Sequence, residues 1–132
     1  LQTEGKIPPN VHLFDFVSRM DYAYSVADLI VCRAGAMTIG EIKEFRVPAI
    51  LVPFAQAAGN HQYINALELE RAGCAVILEE SKVNGGILYE KIDSLLSNEE
   101  LLTGMREHYD RILIEDSNRK IFDSIMDSVK DP

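Results

Sequence analysis

Arg33, Gly35, Thr38 and Glu41 fall within nine residues of one another in VCRAGAMTIGEIKEFRVPAILVPF, Val31 to Phe54, between two apolar runs. A strand that ends in a glycine turn and opens a helix leaves backbone N–H groups unpaired at the helix start, and these carry partial positive charge. Such an opening suits a phosphate. Gly35 admits backbone conformations closed to other residues, and small Ala34 and Ala36 let an anion or a sugar approach the main chain. Arg33 can add a counter-charge, although an arginine just after a strand more often pairs with a surface carboxylate.

Thr38 and Glu41 support two readings. Thr38-x-x-Glu41 has the spacing of a capping box, in which hydroxyl and carboxylate each satisfy a free N–H, and this is the commoner arrangement. Alternatively Glu41 faces a cleft, where its two oxygens accept two ribose hydroxyls. Spacing leaves both open. A second polar helix opening, GNHQY at Gly59 to Tyr63, offers His61 and Gln62 as donors and acceptors for sugar hydroxyls. Taken alone it reads as a solvated helix start.

These residues need elements to hold them. Val11 to Phe16 (VHLFDF), Leu29 to Cys32, Ala49 to Phe54 and Cys74 to Leu78 read as strands. MDYAYSVA suits a short helix, and Ile39, Ile42 and Phe45 give Ala36 to Phe45 helical spacing. Asn60 is placed to cap HQYINALELERA, and Gly73 to close it. Gly86 to Leu96, Asn98 to Leu113 and Asn118 to Val129 read as three further helices. Continuous apolar strands alternating with helices indicate an α/β fold, a Rossmann-like parallel sheet with flanking helices. In such sheets ligands lie outside the carboxyl ends of the strands, which is where both polar openings fall.

Composition narrows the functions. The chain has 132 residues and a formal charge of −8, which opposes broad binding to nucleic acid or anionic lipid. An acidic chain can still hold a diphosphate locally through backbone dipoles. Cys32 and Cys74 lack CxxC spacing and read as buried thiols; His12, His61 and His108 are scattered, so no metal site is expected. No apolar run reaches membrane-spanning length and no signal peptide is evident, which points to the cytosol. The opening LQTEGKIPPN, starting at Leu1, reads like a cut edge.

Together FVSRM (Phe16 to Met20), ADLIVCRAGAMTIGEI (Ala27 to Ile42), VPAILVPF (Val47 to Phe54), NHQYINA (Asn60 to Ala66) and ERAGCAVIL (Glu70 to Leu78) resemble the donor-binding domain of the MurG family. That family comprises GT-B-fold glycosyltransferases that move N-acetylglucosamine from UDP to lipid I, giving lipid II for bacterial peptidoglycan. The resemblance runs from Val11 to about Glu107, and implies part of a GT-B C-terminal domain without its N-terminal acceptor domain. It implies that the backbone of Phe16 and Val17 reads the uracil edge, and that Met20 touches the base. By the same resemblance Gly35, Ala36, Met37 and Thr38 meet the diphosphate and sugar, Glu41 binds the ribose, and His61 and Gln62 lie near the sugar hydroxyls. Some family members have glutamine at both of those last positions, so His61 is a departure. No cofactor or metal is implied.

The resemblance also implies a peripheral enzyme at the cytoplasmic face of the bacterial membrane, with lipid I bound through the acceptor domain. The chain contains no residue matching the family's general base, so turnover by these 132 residues alone is not expected. In the usual strand order the two strands between VHLFDF and LIVCR are missing, which leaves an apolar edge. The expectation is either a homodimer along that edge or direct pairing of VHLFDF with LIVCR. Other readings are a non-catalytic nucleotide-sugar or protein-binding module, and a sugar-nucleotide epimerase of the same architecture, for which no catalytic carboxylates can be placed.

Overall fold

The computed structural model describes residues 5–55 and 60–130. The order is α1 (Met20–Val26), β1 (Ile30–Cys32), α2 (Ala36–Phe45), β2 (Ala49–Leu51), α3 (His61–Arg71), β3 (Ala75–Ile77), α4 (Gly85–Leu96) and α5 (Glu99–Lys130), with a 3-10 turn at Glu80–Lys82. The strands form one parallel sheet in the order β1-β2-β3, with Val31 opposite Ile50 and Ile50 opposite Val76. This is the α/β architecture that the alternation of apolar runs and helices dictates.

Central β2 is buried throughout, and its side chains divide the core in two. Ala49 and Leu51 join Ile42, Val47, Leu69 and Cys74 on one face, whereas Ile50 joins Leu95, Leu102 and Met105 on the other. Successive strand residues point to opposite faces, so this split follows from the pleat. Helices α2 and α3 cover the first face, α4 the second, and α5 serves both: Leu102 and Met105 enter one cluster, Tyr109 and Ile112 the other. Tyr24 of α1 stacks on Phe45 of α2 with ring centroids 5.6 Å apart.

Helix α5 bonds to the segment leading into every strand. Arg106 Nη2 donates to the Ala27 carbonyl ahead of β1 (3.2 Å), and the Tyr109 hydroxyl to the Val47 carbonyl ahead of β2 (2.6 Å). His108 Nδ1 lies 3.1 Å from the Gly73 carbonyl ahead of β3. All three contacts lie at the amino ends of the strands, opposite the rim where ligands belong. Burial pushes the Tyr109 hydroxyl well above its ordinary pKa, so it remains a donor.

Several expectations need correction. VHLFDF forms no strand and does not pair with β1: Leu13, Phe14 and Phe16 are exposed, Phe16 by 83%. β1 offers only three residues of edge, and α1, which would have to act as the crossover, packs on α2 instead. The strand expected over Ala49 to Phe54 stops at Leu51. The two helices expected from Asn98 to Val129 are one 32-residue helix, because Ile114 to Ser117 contain neither glycine nor proline to end it. Of the two thiols only Cys74 is buried; Cys32 is half-buried, and burial raises its thiol pKa to about 11.

Gly73 has φ +84°, as expected of a residue closing α3, and a Cβ there would sit 2.5 Å from His108 Nδ1. Gly73→Ala should therefore cost more than about 1 kcal/mol in urea unfolding, with part recovered in a His108→Ala background. Tyr109→Phe should cost about 1–2 kcal/mol by the same measurement, because a buried carbonyl loses its donor.

Candidate functional site

Both polar openings lie at the carboxyl rim of the sheet. After β1 the chain turns through Arg33, Ala34 and Gly35 into α2. The N-cap of α2 is Gly35, with φ −64° and ψ 153°, and its carbonyl accepts from Ile39 N–H (2.9 Å). This is ordinary extended backbone, so the expected need for a glycine-only conformation does not hold. The protein's own packing does not demand glycine there either: a Cβ at Gly35 would meet only Gln62 Nε2, at 3.9 Å, an ordinary contact. The N–H groups of Ala36, Met37 and Thr38 are the first of the helix and have no partner within it. Among the described residues no side chain accepts from them.

This geometry removes the capping box. Thr38 is the third residue of α2, not its N-cap, and Glu41 is the sixth, too far along to reach back to the first turn. Glu41 is half-buried and makes no ion pair among the described residues. It stands beside the Tyr24 hydroxyl, whose pKa rises to about 12 through burial first and this carboxylate second. Met20 opens α1, the helix that carries Tyr24 onto α2, and Val17 is half-buried just before it. Phe16 points to solvent.

Helix α3 supplies the second opening. Asn60 is its N-cap, but in the left-handed region (φ 56°) and without a capping side-chain bond, contrary to expectation. His61 is exposed. Gln62 turns inward: its Oε1 accepts from Phe54 N–H at 2.8 Å and from Ala34 N–H at 3.4 Å. Asn65, one turn on, donates through Nδ2 to the Ala34 carbonyl at 3.1 Å. Its place on the face of α3 turned toward β1 emerges only from the fold.

Arg33 is engaged as its position suggests. Nη2 lies 2.8 Å from Glu80 Oε1, Nη1 donates to the Val52 carbonyl (3.3 Å), and the guanidinium sits over the Phe54 ring. Glu80 Oε2 accepts from Ala55 N–H at 3.0 Å. That backbone bond, with help from Arg33, holds the Glu80 carboxyl below its ordinary pKa. A hollow of about 290 Å³ lies nearby between Phe54, Tyr63, Ile77 and Glu79, but does not include Gly35, Thr38 or Glu41. Among the described residues no group of three or more His, Cys, Asp or Glu could hold a metal ion.

Residues 1–123 match the glycosyltransferase family 28 C-terminal domain. The chain is 38% identical over 122 residues to the UDP-N-acetylglucosamine–N-acetylmuramyl-(pentapeptide) pyrophosphoryl-undecaprenol N-acetylglucosamine transferase of Acetivibrio thermocellus, covering 92% of this chain and 33% of that protein. It is 48% identical over 86 residues to the protein of the same name from an Anaeromyxobacter species, covering 65% and 23%. Among solved structures, Acinetobacter baumannii MurG superposes with a TM-score of 0.69 at 37% identity, covering 76% of this chain and 28% of that one. The chain thus spans about a third of the length of the Acetivibrio relative. The parallel sheet, its flanking helices and the matched residues agree that this chain belongs to the C-terminal domain family of glycosyltransferase family 28.

Proposed function

We propose that residues 1–132 form part of a donor-binding domain that holds UDP-N-acetylglucosamine for transfer to lipid I, giving lipid II. The observation that carries this reading is the placement of Glu41. With the capping box absent, its half-buried carboxylate stands three residues beyond Thr38, the last of the free N–H groups of Ala36, Met37 and Thr38. In this reading those N–H groups take the diphosphate and Glu41 accepts the two ribose hydroxyls. The Phe16 and Val17 backbone reads the uracil edge beside Met20, and His61 and Gln62 address the sugar.

In the reaction an acceptor hydroxyl attacks the anomeric carbon, and the bond to the β-phosphate oxygen breaks. The electron pair leaves with UDP, and the hydroxyl proton passes to a base outside this chain. The contribution of α2 is to stabilise charge growing on the departing diphosphate through its dipole and amides. The acceptor is reached through an N-terminal domain at the cytoplasmic face of the bacterial membrane. Among the described residues no helix is long and apolar enough to cross a membrane.

Isothermal titration of the 132-residue chain with UDP-N-acetylglucosamine, UDP-glucose and UMP should show uridine-dependent binding. Glu41→Ala should weaken it about tenfold or more. A 2′-deoxyuridine diphosphate should bind wild type less well than UDP and the variant equally well; equal losses in both proteins would defeat the ribose assignment.

The outer edge of β1, three residues long, has no partner strand among the described residues, and the reading includes the pairing of two copies along it. Sedimentation velocity on this chain should show a dimer at rising concentration that Val31→Lys dissociates. A monomer at all concentrations would reject that pairing.

A further inference from the structure

Ala34 is fully buried, and both of its backbone polar groups are met by side chains of α3. Gln62 Oε1 accepts from its N–H, and Asn65 Nδ2 donates to its carbonyl. The two amide orientations are dictated chemically. Ala34 N–H and Phe54 N–H are both donors, so Gln62 must turn its oxygen toward them; the Ala34 carbonyl is an acceptor, so Asn65 must turn its nitrogen. Reversing either amide would set like against like.

We propose that Asn65 and Gln62 are a positioning pair, which grips the Ala34 peptide groups from both sides and thereby sets the α2 opening relative to α3. The proposal rests on the donor-site reading above and adds Asn65 to it. The residue after Ala34 is Gly35, the N-cap, so displacement of Ala34 displaces the amides of Ala36 to Thr38 directly. Because Gln62 Oε1 also takes Phe54 N–H, the same grip ties the exit of β2 to the exit of β1. With that oxygen occupied twice, Gln62 presents only its Nε2 protons to a ligand and works there as a donor.

The pair can be separated from ligand contact by isosteric changes read in amide spectra of the 15N-labelled 132-residue chain and in UDP titrations. Asn65→Asp puts an oxygen against the Ala34 carbonyl. It should move the Ala34, Gly35 and Ala36 signals and weaken UDP about tenfold. Gln62→Met removes the acceptor and should move Ala34 and Phe54 together with a similar loss. Gln62→Glu retains the acceptor and should keep both amides hydrogen-bonded, with slow solvent exchange. Glu41→Gln should weaken UDP while leaving the Ala34 signal in place.

Unmoved Ala34 to Ala36 signals in both Asn65→Asp and Gln62→Met, or moved signals with unchanged UDP affinity, would overturn the proposal. If either variant fails to fold, the other decides. A wild-type chain that binds no uridine nucleotide would overturn the donor-site reading and the pair's role in it. The amide signals would still report whether the grip itself exists.

Discussion

The row of contacts from α5 to the three strand entries is the constraint on which the rest of the structure depends. A three-residue parallel strand has few ladder bonds, and a sheet of three such strands gains little from them alone. Arg106, His108 and Tyr109 fall within four consecutive positions, and each reaches a different strand entry at Ala27, Gly73 or Val47. The hydroxyl of Tyr109 is satisfied in the core beside Val47, so its burial carries no unpaired polar group. With the amino ends pinned by one helix, the strands leave the core in fixed register.

The carboxyl rim is organised on a different principle. Among the described residues no helix crosses it; side chains from neighbouring turns hold one another instead. Arg33 and Glu80 hold the segment Val52 to Ala55 from the β1 and β3 sides, and Gln62 holds it from α3. Polar side chains joined to backbone amides leave much of the rim's surface hydrogen-bonding and accessible, which suits an anionic ligand on a chain of net charge −8. Helix-start amides contribute partial positive charge there, and its reach is only about one turn.

The sequence shows the alternation of strands and helices plainly, since a parallel sheet covered on both faces requires uninterrupted apolar runs such as LIVC and AIL. Helix α2 lies where Ile39, Ile42 and Phe45 placed it, and Gly73 ends α3 as its position implied. VHLFDF misled because strand-like composition does not supply a pairing partner. The Thr38-x-x-Glu41 spacing misled because a capping box depends on which residue is the N-cap, and Gly35 takes that place. Arg106, His108 and Tyr109 were illegible for another reason: their partners are backbone carbonyls 35 to 79 residues away, which no local pattern encodes.

Adjacent residues at the start of α3 carry unequal burdens. Gln62 is committed to two backbone amides, so replacing it disturbs two turns at once. His61 is exposed and its side chain makes no hydrogen bond among the described residues, so that side chain can change without moving the scaffold. Position 61 is therefore evolvable and position 62 is not. A lineage drifting toward a different ligand would alter the first of these residues long before it could alter the second.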